Sequence, residues 1–428
     1  MKREWILWLV MAGLTIGCSN RSLQPLSYDP PGSTVTTDKE IEFQPRRTIS
    51  FSNTGVAVSN EFEGARLNDF WQVNDSVYTA LILPENHPVN NSAWYAFKIW
   101  AKSPQRVTVN LTYRHGTHRY YPKLSRDGRS WARLDSVFFS RDTANGTATL
   151  KLDIGPDTLW VSAQELMTSR RFAEFVDELA RLPFVHKRIA GYSRMGRPLL
   201  FLEIRESDNF RGQVFIISRQ HPPEVTGTLA LMTFVRTLCE DAPLARQFRQ
   251  QFRVAVMPLV NPDGVDMGHW RHNAAGVDLN RDWFQFNQPE TRIVRDTLTE
   301  LAQEKPVYFA LDFHSTQEDV FYTLAKSLKT NLPEITDRWL AKLHELLPDY
   351  PINESPSGLG SPVSKNWFYQ TFNAAAVTYE VGDEDPRDHI RRVAKAAARA
   401  RDAGPAGSDL APAPANEKYC LNFILLLY

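Results

Sequence analysis

Val214-Phe215-Ile216-Ile217-Ser218-Arg219-Gln220-His221-Pro222-Pro223-Glu224 is an apolar run that ends in two side chains able to bind a metal. A short apolar run closed by turn residues reads as a strand buried on both faces, and the amphipathic stretch Val225 to Cys239 reads as the helix that follows it. His221 and Glu224 then project from the turn at the carboxyl end of a strand, where open α/β sheets place their ligands. A second run of the same kind, Tyr308 to Phe313, ends in Leu311-Asp312-Phe313-His314-Ser315. Two histidines and one glutamate leave a fourth position open on Zn²⁺, the usual arrangement of a hydrolytic site. Taken singly, each histidine is an ordinary polar residue at a strand end.

Around this stretch the same alternation continues. Helices are predicted at Arg170 to Leu182, Glu290 to Gln303 and Leu332 to Leu347, and strands at Leu199 to Arg205, Phe252 to Met257, Val307 to Phe313 and Ala375 to Val381. Apolar strands divided by helices argue an α/β domain over residues 166–402, with a mixed, largely parallel central sheet covered by helices. Residues 49–165 differ in texture. Short β-rich runs, among them Ser76 to Leu83, Trp94 to Trp100, Arg106 to Tyr113, Ser136 to Phe139 and Thr147 to Leu152, are separated by turns such as Asp127-Gly128 and Asn145-Gly146, the pattern of an antiparallel β-sandwich. Its aromatics, Trp71, Trp94, Tyr120, Tyr121 and Trp131, are expected mainly in the core, although such residues can also line a sugar-binding face. His115 and His118 are expected at the surface.

The ends of the chain carry other signals. Lys2 and Arg3 precede an apolar run from Trp5 to Ile16 that is too short to span a bilayer and has the layout of an export signal. It closes on Leu14-Thr15-Ile16-Gly17-Cys18-Ser19, which resembles the lipobox of bacterial lipoproteins, with Thr15 where that pattern prefers leucine. Residues 1–18 are therefore expected to be a signal ending at a lipidated Cys18, and residues 19–48, rich in Ser, Pro and Thr, a tether. The protein is expected outside the cytoplasm, held to a membrane by the lipid alone. Residues 403–428 form an Ala/Pro-rich tail expected to be disordered.

Composition excludes several classes. In 428 residues, 49 Lys plus Arg balance 49 Asp plus Glu, so no bulk attraction to nucleic acid follows. Cys18, Cys239 and Cys420 are too few for a disulfide framework or a thiolate metal cage.

His-x-x-Glu at His221 and Glu224, His314-Ser315, Asn261-Pro262-Asp263-Gly264, Gly276-Val277-Asp278-Leu279-Asn280-Arg281-Asp282-Trp283 and Thr378-Tyr379-Glu380 occur in that order. Together they resemble the zinc carboxypeptidase family of pancreatic type, and within it the cytosolic carboxypeptidase branch and its bacterial relatives. The resemblance spans about Arg170 to Arg392. It implies one Zn²⁺ per chain on His221, Glu224 and His314, and a peptide substrate. Glu380 would be the general base, Arg271 would polarise the scissile carbonyl, and Asn280 with Arg281 would hold the terminal carboxylate. Asp278 would accept the free N–H of His221 and fix its tautomer. His269 and His272, beside Arg271, are expected at the surface. Lys365 falls at the floor of the side-chain pocket, where an ammonium favours an acidic terminal residue; a solvated loop lysine is the other reading. The family's mobile tyrosine falls on Gly358, and Tyr350 or Tyr369 is left as a substitute. Two further readings stand beside this one: a carboxypeptidase or amidase of peptidoglycan stem peptides, and a non-catalytic lipoprotein whose β-rich domain binds glycan.

Overall fold

The computed structural model describes residues 29–400. The export signal, Cys18, the first part of the tether and the tail lie outside the described residues. Among the described residues, no helix is long and apolar enough to cross a membrane.

The central sheet has eight strands, in the order Val185–Tyr192, Pro198–Ile204, Phe252–Met257, Gly212–Ser218, Val307–Thr316, Ala375–Gly382, Val320–Leu324 and Glu354–Ser357. The four in the middle run parallel. Their apolar residues alternate between two cores, as the two-residue period of a strand requires. Val214, Ile216, Leu311 and Val377 face one core with the helices Ser169–Leu179, Val225–Leu238 and Arg387–Arg399. Phe215, Ile217, Ala310 and Ala376 face the other, with Pro289–Ala302 and Ser364–Phe372. Two covered faces explain why the strand sequences read as unbroken apolar runs.

One glycine sets how closely a helix meets the sheet. A Cβ on Gly227 would lie 2.2 Å from the carbonyl oxygen of His314, so only glycine lets the first turn of Val225–Leu238 rest on that backbone. The Gly227 amide donates to Ser315 Oγ at 2.8 Å.

The β-rich region forms two sheets. One contains Thr48–Phe51, Val56–Ser59, Ala96–Ala101, Leu159–Ser162, Lys123–Ser125 and Ala132–Arg133; the other contains Asp69–Asn74, Val77–Ile82, Gln105–Tyr113, Thr147–Ile154 and Phe139–Asp142. Their inner residues share a core. Val77–Ile82 pairs parallel with Gln105–Tyr113, because the chain between them passes through Ala96–Ala101 in the opposite sheet. Part of the predicted strand at Ser136 to Phe139 is a 3-10 turn, Ser136–Phe138, capped by Asp135. Trp94 and Tyr120 are core residues, Tyr121 and Trp131 are half-buried, and Trp71 is exposed. His118, expected at the surface, is instead buried beside Tyr95, with Nδ1 2.8 Å from the Tyr113 hydroxyl. His115 is exposed.

Residues 29–47, expected as tether, lie against both domains. The Lys39 amide donates to the Ala275 carbonyl at 2.8 Å, Gln288 Nε2 to the Thr36 carbonyl at 2.8 Å, and the Glu42 amide to the Glu85 carbonyl at 2.7 Å. Gln44 is buried and donates to the Ala65 carbonyl at 2.6 Å. Side-chain amides and backbone groups satisfied in this way hold a segment that composition alone reads as loose.

Candidate active site

Strand register brings the site together. His314 and Glu380 are direct partners on adjacent parallel strands, near their carboxyl ends, and Ser218 pairs with Phe313 one position earlier. The chain then turns out of Gly212–Ser218 through Arg219, whose φ of 57° lies in the left-handed region, and delivers His221 and Glu224 to the same edge. Arg219 holds the turn from inside by donating through Nε to the Pro222 carbonyl at 2.9 Å and through its Nη1 to Thr228 Oγ1 at 2.9 Å.

The donor atoms converge on one point. Nδ1 of His221 lies 2.8 Å from Glu224 Oε1, and Nδ1 of His314 lies 2.8 Å from Glu224 Oε2. The other nitrogen of each ring faces a carboxylate: His221 Nε2 is 2.9 Å from Asp278 Oδ1, and His314 Nε2 is 2.8 Å from Asp312 Oδ2. A ring that donates Nε2–H outward presents an Nδ1 lone pair inward. Two such lone pairs and a carboxylate facing one another repel unless a cation lies among them. A proton can also take that place: burial disfavours charge on His314, yet Asp312 and Glu224 hold its pKa well above the usual range, so the pocket favours a positive charge. Two imidazoles and one carboxylate are a zinc donor set, and the three ligand groups cluster tightly enough for one ion.

The remaining predicted residues surround this point. Glu380 is the register partner of His314, and its Oε2 is buried without a hydrogen-bond partner among the described residues. Burial, reinforced by Glu224 and opposed by His314, pushes its pKa up to about 7. Arg271 is buried and donates through Nε to Asp278 Oδ2 at 2.7 Å, so Asp278 joins Arg271 to His221. Burial opposes charge on Asp278, but Arg271 and His221 hold its pKa well below the ordinary carboxylate range. Asn280 accepts from the Ser364 amide at 3.0 Å. Arg281 pairs with Asp29.

Lys365 lies in the first turn of Ser364–Phe372 and is buried rather than solvated. Its Nζ donates to the Thr323 carbonyl at 2.8 Å and to Ser357 Oγ at 2.7 Å, and among the described residues no carboxylate pairs with it. Burial lowers its pKa to about 8.

His269 and His272, expected at the surface, are buried because the β-sandwich domain packs over their loop. His269 Nδ1 lies 3.0 Å from the His272 carbonyl, and His272 Nδ1 lies 2.6 Å from Asn86 Oδ1. Tyr350 and Tyr369 do not serve the site. Tyr350 is core and donates its hydroxyl to Asp319 Oδ2 at 2.6 Å, and Tyr369 packs on the core beneath Ser364–Phe372. Gly358 lies in open space. Three site residues escaped the sequence reading: Asp312, Glu85 and Asp29. Asp312 stands two positions before His314 on the same strand, hence on the same face, and that spacing could have found it. The other two come from distant segments and leave no local signal.

The zinc carboxypeptidase family profile matches residues 173–400, more than half of the chain, including His221, Glu224, Arg271, His314 and Glu380. The chain belongs to the zinc carboxypeptidase family. An uncharacterized protein of Zymomonas mobilis is 23% identical over 353 residues, covering 78% of this chain and 89% of that protein. Cytosolic carboxypeptidase 6 of Mus musculus is 25% identical over 290 residues, covering 61% of this chain and 53% of its own. The chain thus spans about half the length of that relative. Among solved structures, the metallo-carboxypeptidase from Burkholderia cenocepacia matches with a TM-score of 0.68 at 19% identity, over 80% of this chain and 96% of that one. The metallo-carboxypeptidase from Pseudomonas aeruginosa, solved with (2-guanidinoethylmercapto)succinic acid, matches with a TM-score of 0.65 at 20% identity, over 79% of this chain and 96% of that one. This zinc carboxypeptidase shares the fold of both, β-sandwich included.

Proposed function

We propose that the protein removes C-terminal residues from peptides, with His221, Glu224 and His314 holding the family's zinc. The observation that carries this reading is the arrangement of Glu380, Arg271 and Arg281 around a three-donor cluster whose outer nitrogens are fixed by Asp278 and Asp312. Zinc there supplies Lewis acidity toward the scissile carbonyl and lowers the pKa of water. Glu380, whose Oε2 is buried and without a hydrogen-bond partner among the described residues, takes a proton from the attacking water and returns it to the leaving amine. Arg271, oriented by Asp278, places positive charge where the carbonyl oxygen becomes an oxyanion. Arg281 grips the terminal carboxylate through its Nε and Nη2 donors, as it now grips Asp29.

The same reading gives the enzyme a preference for acidic terminal residues. Lys365 is a buried cation with only neutral partners, and an incoming Glu or Asp side chain would supply the missing countercharge. Placement outside the cytoplasm on a lipid anchor rests on Lys2, Arg3, the apolar run Trp5 to Ile16 and the lipobox-like Leu14 to Ser19. Kinetics on peptides differing only in a terminal Glu, Lys or Phe test the preference in wild type and Lys365→Ala. Terminal Glu should lead in wild type and lose its lead in the variant; a lead that survives removes Lys365 from the role.

A further inference from the structure

The loop between the helix Pro262–Met267 and the turn at Leu279 carries Arg271 without regular secondary structure, so its amides need partners from elsewhere. Three successive amides point the same way. Trp270 N donates to Glu85 Oε2 at 2.7 Å, and Arg271 N and His272 N donate to Glu85 Oε1 at 3.1 and 2.7 Å. Consecutive amides turned to one side form an anion-binding hollow, and here the anion is a side chain of the other domain. Glu85 is fully buried. Burial opposes its charge, but His269, His272 and Arg66 hold its pKa down at about 2.

Its neighbours close the grip. Asn86 Oδ1 is 2.6 Å from His272 Nδ1, and Asn86 Nδ2 donates to the Gly276 carbonyl at 3.1 Å. Trp270 is buried with its indole N–H on the Trp94 carbonyl at 3.1 Å. The middle amide of the three belongs to Arg271, whose Nε is bonded to Asp278, and Asp278 is bonded to His221. The path from Glu85 to the zinc donors therefore runs through contacts of hydrogen-bond length.

We infer that the Glu85-Asn86 turn of the β-sandwich domain is a positioning element for Arg271, so that the second domain completes the active site instead of merely accompanying it. The inference rests on the carboxypeptidase reading for its kinetic consequence. A donor aimed at developing charge loses its effect when displaced by about 1 Å, and a backbone hung from one carboxylate is displaced when that carboxylate changes. Glu85→Gln replaces one acceptor oxygen with an amide NH2, a donor that faces the N–H donors.

The test is a double-mutant cycle on kcat for release of a C-terminal residue, using wild type, Glu85→Gln, Arg271→Ala and the double variant, each confirmed to bind one zinc. Glu85→Gln should lower kcat by about tenfold or more, a fraction of the roughly 10² to 10³ expected for losing such a group outright. In the Arg271→Ala background the same change should cost less than about twofold, because Glu85 acts through Arg271. Losses that multiply, or a Glu85→Gln kcat equal to wild type, overturn the inference. If Glu85→Gln fails to fold, Asn86→Ala removes the neighbouring acceptor from the same turn and enters the same cycle, with the same coupling expected and the same outcomes contradicting it. Hydrogen exchange supplies a readout independent of activity: amides 270–272 should be protected in wild type and lose protection in the variant, with the central sheet unchanged. Unprotected amides in wild type overturn the brace itself. Absence of any C-terminal release by wild type counts instead against the carboxypeptidase reading, and exchange then decides the brace alone.

Discussion

Asp29 lies on Arg281, with Arg281 Nη2 2.7 and 2.6 Å from the two carboxylate oxygens and Nε 3.0 Å from Oδ2. The protein thus offers its own carboxylate to the residue that would hold a substrate's terminal carboxylate. Pro30 to Ser33, just beyond it, line the same cleft as Arg271 and Asp278.

A substrate must displace Asp29 to reach Arg281. Asp29→Ala should therefore lower KM by about threefold to fivefold with kcat unchanged, since a partly exposed ion pair is worth on the order of 1 kcal/mol. Steady-state kinetics on one peptide check this. An unchanged KM would mean that Asp29 does not compete with substrate.

Asp312 fixes the ring of His314, and carboxylates behind zinc histidines typically govern affinity by about 10 to 100-fold. Asp312→Asn should weaken zinc binding by an amount in that range, measured by competition with a chelating dye. Ser364 Oγ and Gln220 Nε2 also bond Asp312, so the melting temperature of the zinc-saturated variant should be followed in parallel. Wild-type zinc affinity in Asp312→Asn would show that the ring is held by other means.

Glu380→Gln keeps the shape of the side chain and removes the base. kcat should fall by about 10² or more while zinc content stays at wild-type level. Loss of zinc along with activity would make Glu380 part of the metal site and leave the base unassigned.

The site was legible where its residues belong to strand ends, and illegible where they come from other parts of the chain. His221, Glu224, His314 and Glu380 follow apolar runs whose period and length are visible in the sequence, and the register of parallel strands brings those ends together. Glu85 and Asp29 sit in irregular segments far from the residues they bond, and nothing in local pattern specifies such pairings. His118, His269 and His272 were expected outside because isolated histidines usually are; the core of the β-sandwich buries His118 beside Tyr95 and Phe139, and domain packing buries His269 and His272. In the fold, the doubly covered sheet read correctly because both faces are apolar, whereas the last two strands of the sheet, Val320–Leu324 and the edge strand Glu354–Ser357, are only five and four residues long and too short to show a period.

Buried neutral histidines make the protein acid-sensitive. Burial, helped by Arg141, lowers the His118 pKa from 6.5 to about 4. Between those values the unfolded chain binds the proton and the folded one does not, so the stability that neutral, buried His118 contributes is full above about pH 6.5 and is lost as pH drops toward 4. His118 should contribute on the order of 3 kcal/mol to that loss. His118→Gln cannot titrate, and its melting temperature should fall less than that of wild type between pH 7 and about 4.5. Parallel losses in the two proteins would show that His118 is protonated in the fold.

The most direct test is mass spectrometry of a library of free and C-terminally amidated peptides incubated with the purified enzyme, with zinc, after chelation, and after zinc is restored. The expected result is stepwise loss of single residues from free C-termini, no cleavage of amidated peptides, abolition by the chelator and recovery with zinc. Internal cleavage, equal cleavage of amidated peptides, or activity that survives full removal of zinc would contradict it.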